Sequence, residues 1–163
     1  MTTSPLSGAA LVALARQIAT EAHADQRDKT GHPYLDNPAR VAARVVAAGG
    51  DDRATAAAWL HDVLEDTGTT APDLRARGIP SDVVAAVEAL SRRPGEAPEL
   101  YFARINADPL AVQVKHADLA DNTDPTRTAE LDPATAARLS AKYRLWAQLL
   151  APLSGSSGEA PVA

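Results

Sequence analysis

The chain has no cysteine. Disulfides, thiolate metal sites and a cysteine nucleophile are therefore excluded. Aromatic residues make up only 4% of its 163 residues. No strand-like alternation, internal repeat or second domain is evident, and no apolar run approaches the ~20 residues needed to span a bilayer. Positive charge is also short. Sixteen Lys and Arg stand against 21 Asp and Glu, for a net charge of -5. That balance argues against nucleic acid or an anionic membrane as the main partner. It leaves open a small phosphorylated ligand, because a bound metal and a few local cations can reverse the field within a cleft. The opening MTTSPLSGAALVALARQIAT lacks a basic n-region and runs straight into an amphipathic helix. No signal peptide is expected there, and the expected location is the cytoplasm.

The length suits one domain with a sizeable core. The 45% hydrophobic content is largely alanine, which calls for closely packed helices. Helical spacing and capping signals place helices over 6–24, 38–48, 52–66, 72–77, 81–91, 99–107, 109–124 and 133–150. Val41, Val45 and Val46 mark the buried stripe of the second, with Asn37 suited to its N-cap. Residues 1–151 are read as one all-α domain. Residues 152–163, rich in Gly and Ser and without apolar periodicity, are read as a disordered tail.

One stretch stands out, AAWLHDVLEDT from Ala57 to Thr67. At about 100° per residue, His61, Asp62, Glu65 and Asp66 fall within a sector of roughly 140° on a continuous helix. Three carboxylates this close repel one another unless a cation sits among them. The adjacent His61 and Asp62 offer a nitrogen and an oxygen to one divalent metal; the plainer alternative is a solvated acidic face. Further on, Lys115, Asp118 and Asn122 share one helix face. They read either as a surface stripe or as a cleft wall with one metal ligand and two ligand-binding donors. The polar segment from Arg27 to Pro38 is a loop, punctuated by Gly31, Pro33 and Pro38. His116 lies roughly 160° around its helix from Asp118, so it is not expected to be a ligand. His23 is read as a structural hydrogen-bonding residue, and Tyr143 and Trp146 as core.

Three segments together resemble one family. They are AHADQRDKTGHPYLDNPARVA (22–42), AAAWLHDVLEDT (56–67) and VKHADLADNTDP (114–125). In order and spacing the chain is similar to the HD-domain metal phosphohydrolases, and more narrowly to the small alarmone hydrolases related to the RelA/SpoT hydrolase domain. The resemblance implies a single multi-helix HD-domain fold and one divalent metal, usually manganese, with magnesium or another divalent ion as the alternative. It implies that His61, Asp62 and Asp118 are metal ligands, that Glu65 and Asp66 position and deprotonate the attacking water, and that Lys115 and Asn122 meet the nucleotide. The implied reaction is removal of pyrophosphate from the 3′ position of guanosine tetra- or pentaphosphate.

Two positions depart from the family pattern. The first metal-ligand position, a histidine in the family's Tyr-x-x-His-Pro motif, is Asn37 here. An amide oxygen is a weaker donor than imidazole for a transition metal. The basic pair that precedes the Ser/Thr-Gly of the loop reads Asp28-Lys29. Lys29 can still meet a phosphate, but Asp28 cannot stack on a base as a guanidinium does; Arg27 is the candidate to replace it. Two readings follow: a metal-dependent hydrolase of a phosphorylated nucleotide, and a catalytically weakened module that kept the fold to bind nucleotide or a partner.

Overall fold

Proline is frequent in this chain yet does not break it. Among the described residues, five helices carry a proline at their first or second position, where the missing N–H costs nothing. In the computed structural model, which describes residues 6–28 and 30–153, the chain is all-α. Among the described residues the helices are α1 (Gly8–Ala22), α2 (Asp36–Ala47), α3 (Asp52–Leu60), α4 (Val63–Asp66), α5 (Ala71–Ala76), α6 (Ser81–Leu90), α7 (Pro98–Asn106), α8 (Pro109–Asn122), α9 (Pro125–Thr128) and α10 (Pro133–Leu149). None is long and apolar enough to cross a membrane.

Helix α3 is the axis. It packs against α1, α2, α6 and α8. Its alanines at 54, 56, 57 and 58 are fully buried, and their small side chains let four neighbours approach closely. Asp51 caps its start by accepting from Ala54 N. The joint between α2 and α3 depends on glycine. Gly49 has a φ of 87°, and a Cβ on Gly50 would lie 2.5 Å from Val45 Cγ1. Asp108 caps α8 through Leu110 N and Ala111 N, and so sets the register of the helix that carries Lys115, Asp118 and Asn122.

Three local expectations are corrected. The central helix is not continuous to Asp66; it ends at Leu60 and restarts at Val63. The Ala58 carbonyl, which Asp62 N–H would use in a continuing helix, is taken by His61 N at 3.4 Å and His61 Nδ1 at 2.7 Å. Asn37 is not the N-cap of α2. It sits buried inside the first turn with its amide turned to α8. Val46 does not complete the buried stripe but is 58% exposed. Residues 154–163 of the expected tail lie outside the described residues.

The few aromatics are concentrated. Tyr101, Phe102, Tyr143 and Trp146 form one edge-to-face cluster, with ring centroids 5.2 to 6.1 Å apart. It joins α7 to α10 beneath the site.

Candidate metal and active site

A cleft of ≈ 420 Å³ opens where α2, the α3–α4 break, α8 and α10 meet. His61 stands at its foot, 3% exposed. The α3–α4 break aims the side chain, because the bond from Nδ1–H to the Ala58 carbonyl fixes the tautomer. Nε2 is then the bare nitrogen. It lies 3.1 Å from Asp62 Oδ2 and 3.6 Å from Asp118 Oδ1, yet neither contact is a well-aligned hydrogen bond, and this buried atom is left without a partner. A lone pair facing two carboxylates is repulsive unless a proton or a metal ion intervenes. Burial alone would lower the His61 imidazole, but Asp62 and Asp118 outweigh it and push it well above the ordinary histidine range. Among the described residues no group of three His, Asp or Glu side chains is already spaced as a metal cage. The donor set nevertheless fits a divalent ion, because one buried imidazole nitrogen and two carboxylates converge and Asn37 lines the same cleft.

Asp118 is held from behind. Its Oδ2 accepts from Lys115 Nζ at 3.2 Å and its Oδ1 from Asn122 Nδ2 at 3.1 Å. Burial opposes its ionisation; Lys115 and His61 win and keep the carboxyl well below the usual range. Lys115 is 4% exposed. Its ammonium also reaches Tyr101 Oη at 3.3 Å and the face of Trp146 at 4.4 Å. Burial favours the neutral amine, but Asp118 and Tyr101 hold it charged, above the usual lysine range. Lys115 and Asn122 both line the cleft, and both are already engaged with Asp118.

Glu65 and Asp66 stand on α4, one turn above His61 and Asp62. Burial, then the Asp62 charge, raises both carboxyls above their ordinary values. Glu65 Oε2 accepts from Arg92 N at 3.2 Å. Tyr34 Oη is 2.6 Å from Asp62 Oδ2 and 2.9 Å from Asp66 Oδ2. A hydroxyl carries one proton. Tyr34 therefore donates to one of the two carboxylates at a time and bridges Asp62 to Asp66.

On the loop side, Arg27 lines the cleft while Nη1 donates to Gly31 O at 3.1 Å. Asp28 also lines it, but its Oδ1 accepts from Thr30 N, Thr30 Oγ1 and His32 N at 2.7 to 3.0 Å. Lys29 lies outside the described residues. Arg92, Lys142 and Tyr143 line the cleft and were not singled out as site residues by sequence. The Arg92-Arg93 pair was the available signal for the first. Tyr34 was equally visible in the Tyr-x-x-x-Pro motif. His116 is turned away and pairs through Nε2 with Ala151 O at 2.8 Å. His23 is buried, with Nδ1 2.8 Å from Gln26 Oε1.

A family model described as the HD domain matches residues 15–100, more than half of the chain. The chain belongs to the HD-domain family. The matched region contains Asn37, His61 and Asp62, whereas Asp118 lies beyond it and is brought in by α8. The HD domain is 35% identical over 116 residues to a guanosine-3′,5′-bis(diphosphate) 3′-pyrophosphohydrolase of Aquifex aeolicus; the match covers 66% of this chain and 16% of that protein. It is 31% identical to a probable GTP pyrophosphokinase of Mycobacterium leprae, across 97% of this chain and 20% of the relative. The chain therefore spans a fifth or less of these relatives' length. A solved structure of a metazoan ortholog of SpoT, described as hydrolysing ppGpp, superposes with a TM-score of 0.75 at 21% identity, covering 92% of this chain and 90% of that one. The all-α HD-domain fold is shared.

Proposed function

We propose that this HD domain is a metal-dependent pyrophosphohydrolase of a phosphorylated nucleotide, most specifically guanosine 3′,5′-bis(diphosphate), and that it works in the cytoplasm. The bare, buried Nε2 of His61 between Asp62 and Asp118 carries the proposal. The names of the relatives support the choice of nucleotide. Asn37, His61, Asp62 and Asp118 would hold one divalent cation. One nitrogen and three oxygens suit manganese or magnesium better than a soft metal. Such an ion, when bound, lowers the pKa of a water and polarises a phosphoryl oxygen.

The chain's own groups do the rest. Glu65 and Asp66 orient the attacking water and accept its proton, a task suited to carboxyls raised above their usual range. The water oxygen bonds to the phosphorus of the 3′ ester, the bond from that phosphorus to O3′ breaks, and O3′ leaves with a proton. GDP and pyrophosphate result, or GTP and pyrophosphate from the pentaphosphate. Arg27, Lys29 and Asn122 meet the nucleotide, with Arg92 and Lys142 added to the cationic rim. Lys115 supplies charge from beneath, through Asp118.

The test is incubation of the purified chain with guanosine tetraphosphate and manganese, with the products resolved. GDP and pyrophosphate are expected in equal amounts. Folded, manganese-loaded protein that releases neither would reject the reading in favour of a binding module.

A further inference from the structure

Asp121 is absent from every expectation about the site, yet its buried carboxylate accepts from three side chains. It is 0% exposed. Its Oδ1 accepts from Arg40 Nε at 2.9 Å and lies 3.5 Å from Arg44 Nε. Its Oδ2 accepts from Arg127 Nη1 at 2.7 Å and from Asn37 Nδ2 at 3.0 Å. Arg127 Nη1 also donates to the Asp121 carbonyl at 3.2 Å. Guanidinium groups only donate, and both carboxylate oxygens already accept from one. Ringed by these donors, the Asp121 carboxylate serves as the acceptor in each contact.

This decides the orientation of Asn37. The two ends of an amide are nearly alike in shape, and only the hydrogen-bond partners tell them apart. Facing this accepting carboxylate, the end 3.0 Å from Asp121 has to be the NH2 group. The carbonyl oxygen is then the atom left for the cleft that Asn37 lines. The reversed amide would set two oxygens against each other in a buried position and offer the cleft an NH2 group that cannot ligate a cation. The arginines come from both sides of the contact: Arg40 and Arg44 on α2, Arg127 on α9.

We propose that Asp121, clamped by Arg40, Arg44 and Arg127, is a positioning residue that locks the Asn37 amide with its oxygen toward the metal site. The proposal rests on the metal reading above. It turns the departure at Asn37 into a matched pair across α2 and α8, in which the residue behind the ligand selects the ligating atom.

The experiment is a double-mutant cycle read in manganese affinity by electron paramagnetic resonance of the free ion, on the full chain. Asp121→Asn can donate as well as accept and so releases the lock. It is expected to weaken manganese binding about tenfold in the wild-type background, and to have no further effect in an Asn37→Ala background. An equal loss in both backgrounds, or no loss in either, would overturn the proposal. A second measurement needs no Asp121 variant. In a magnesium titration followed by NMR, the Asn37 side-chain NH2 should be protected from exchange before magnesium is added and stay so, while its carbonyl carbon resonance moves. An unprotected NH2 in the metal-free protein would overturn the proposal by itself. Asp62→Ala, measured alongside, separates the two claims. Wild-type protein that binds manganese no better than this variant defeats the metal reading, whereas tight wild-type binding indifferent to Asp121→Asn defeats only the lock.

Discussion

One wall of the cleft stands on α3, α4 and α8; the other is the loop from Arg27 to Leu35. On the helical wall each polar group faces a reactive neighbour. His61 Nε2 meets two carboxylates, and Asp118 is held by Lys115 and Asn122. On the loop wall, Tyr34 Oη reaches across to Asp62 and Asp66, while Arg27 and Asp28 bond within the loop. Asp28 takes three donors from Thr30 and His32, Arg27 bonds to Gly31 O, and Tyr34 N donates to Gln26 O at 2.8 Å. Asp28 therefore has a structural task at the position where the family pattern carries a cation. The helical wall keeps His61, Asp62 and Asp118, and the departures from the family pattern lie at Asp28 on the loop and at Asn37 on α2.

The comparison can be pressed hardest at Asp118. Asp118→Ala removes a proposed metal ligand and leaves the buried Lys115 ammonium without its carboxylate. The expected result is loss of manganese binding and a stability loss of about 3 kcal/mol in urea unfolding. A variant as stable as the wild type would show that the ion pair is not what fixes this wall. Next comes Glu65→Gln, for which kcat should fall about a hundredfold while manganese affinity holds. Because burial raises the Glu65 carboxyl, its contribution to stability is complete below the unfolded value of 4.5 and is lost as pH rises through the higher folded value. Without added metal, Glu65→Gln should thus raise Tm near neutral pH, with the gain fading below about pH 4.5. The catalytic rate should likewise fall on acidification at a pH above the ordinary carboxylate range.

How much of this was legible in the sequence differs between the walls for a physical reason. His61 and Asp62 are adjacent, and Asp118 and Asn122 stand four apart on one helix; sequence spacing encodes these offsets directly, and the family resemblance joined the two pairs. The break at His61 was not legible, because it arises from one side-chain nitrogen competing for the Ala58 carbonyl. Arg92, Lys142 and Tyr143 reach the cleft only through the way α10 and the segment after α6 cross the bundle. Trp146 was read as core and is both: it is buried, and it lines the cleft behind Lys115. Asp121 stayed invisible because Asn37 and Arg40, two of its partners, lie more than 80 residues away on α2.

The loop wall should respond more mildly. Asp28→Ala removes the acceptor that ties Thr30 and His32, and is expected to cost about 1 kcal/mol and to raise KM several-fold with little change in kcat. A fall in kcat matching that of Glu65→Gln would place Asp28 in the chemistry and erase the contrast. Away from both walls, Val46→Ser should change stability by no more than about 0.5 kcal/mol, since its side chain is exposed. A larger loss would mean that α2 buries the stripe first expected of it.

The most direct test of the central claim is pyrophosphate release from guanosine tetraphosphate, with manganese, by wild-type protein and Asp62→Ala side by side. Release by the wild type that vanishes in the variant is the predicted result. Equal release by the two would contradict a reaction centred on His61, Asp62 and Asp118.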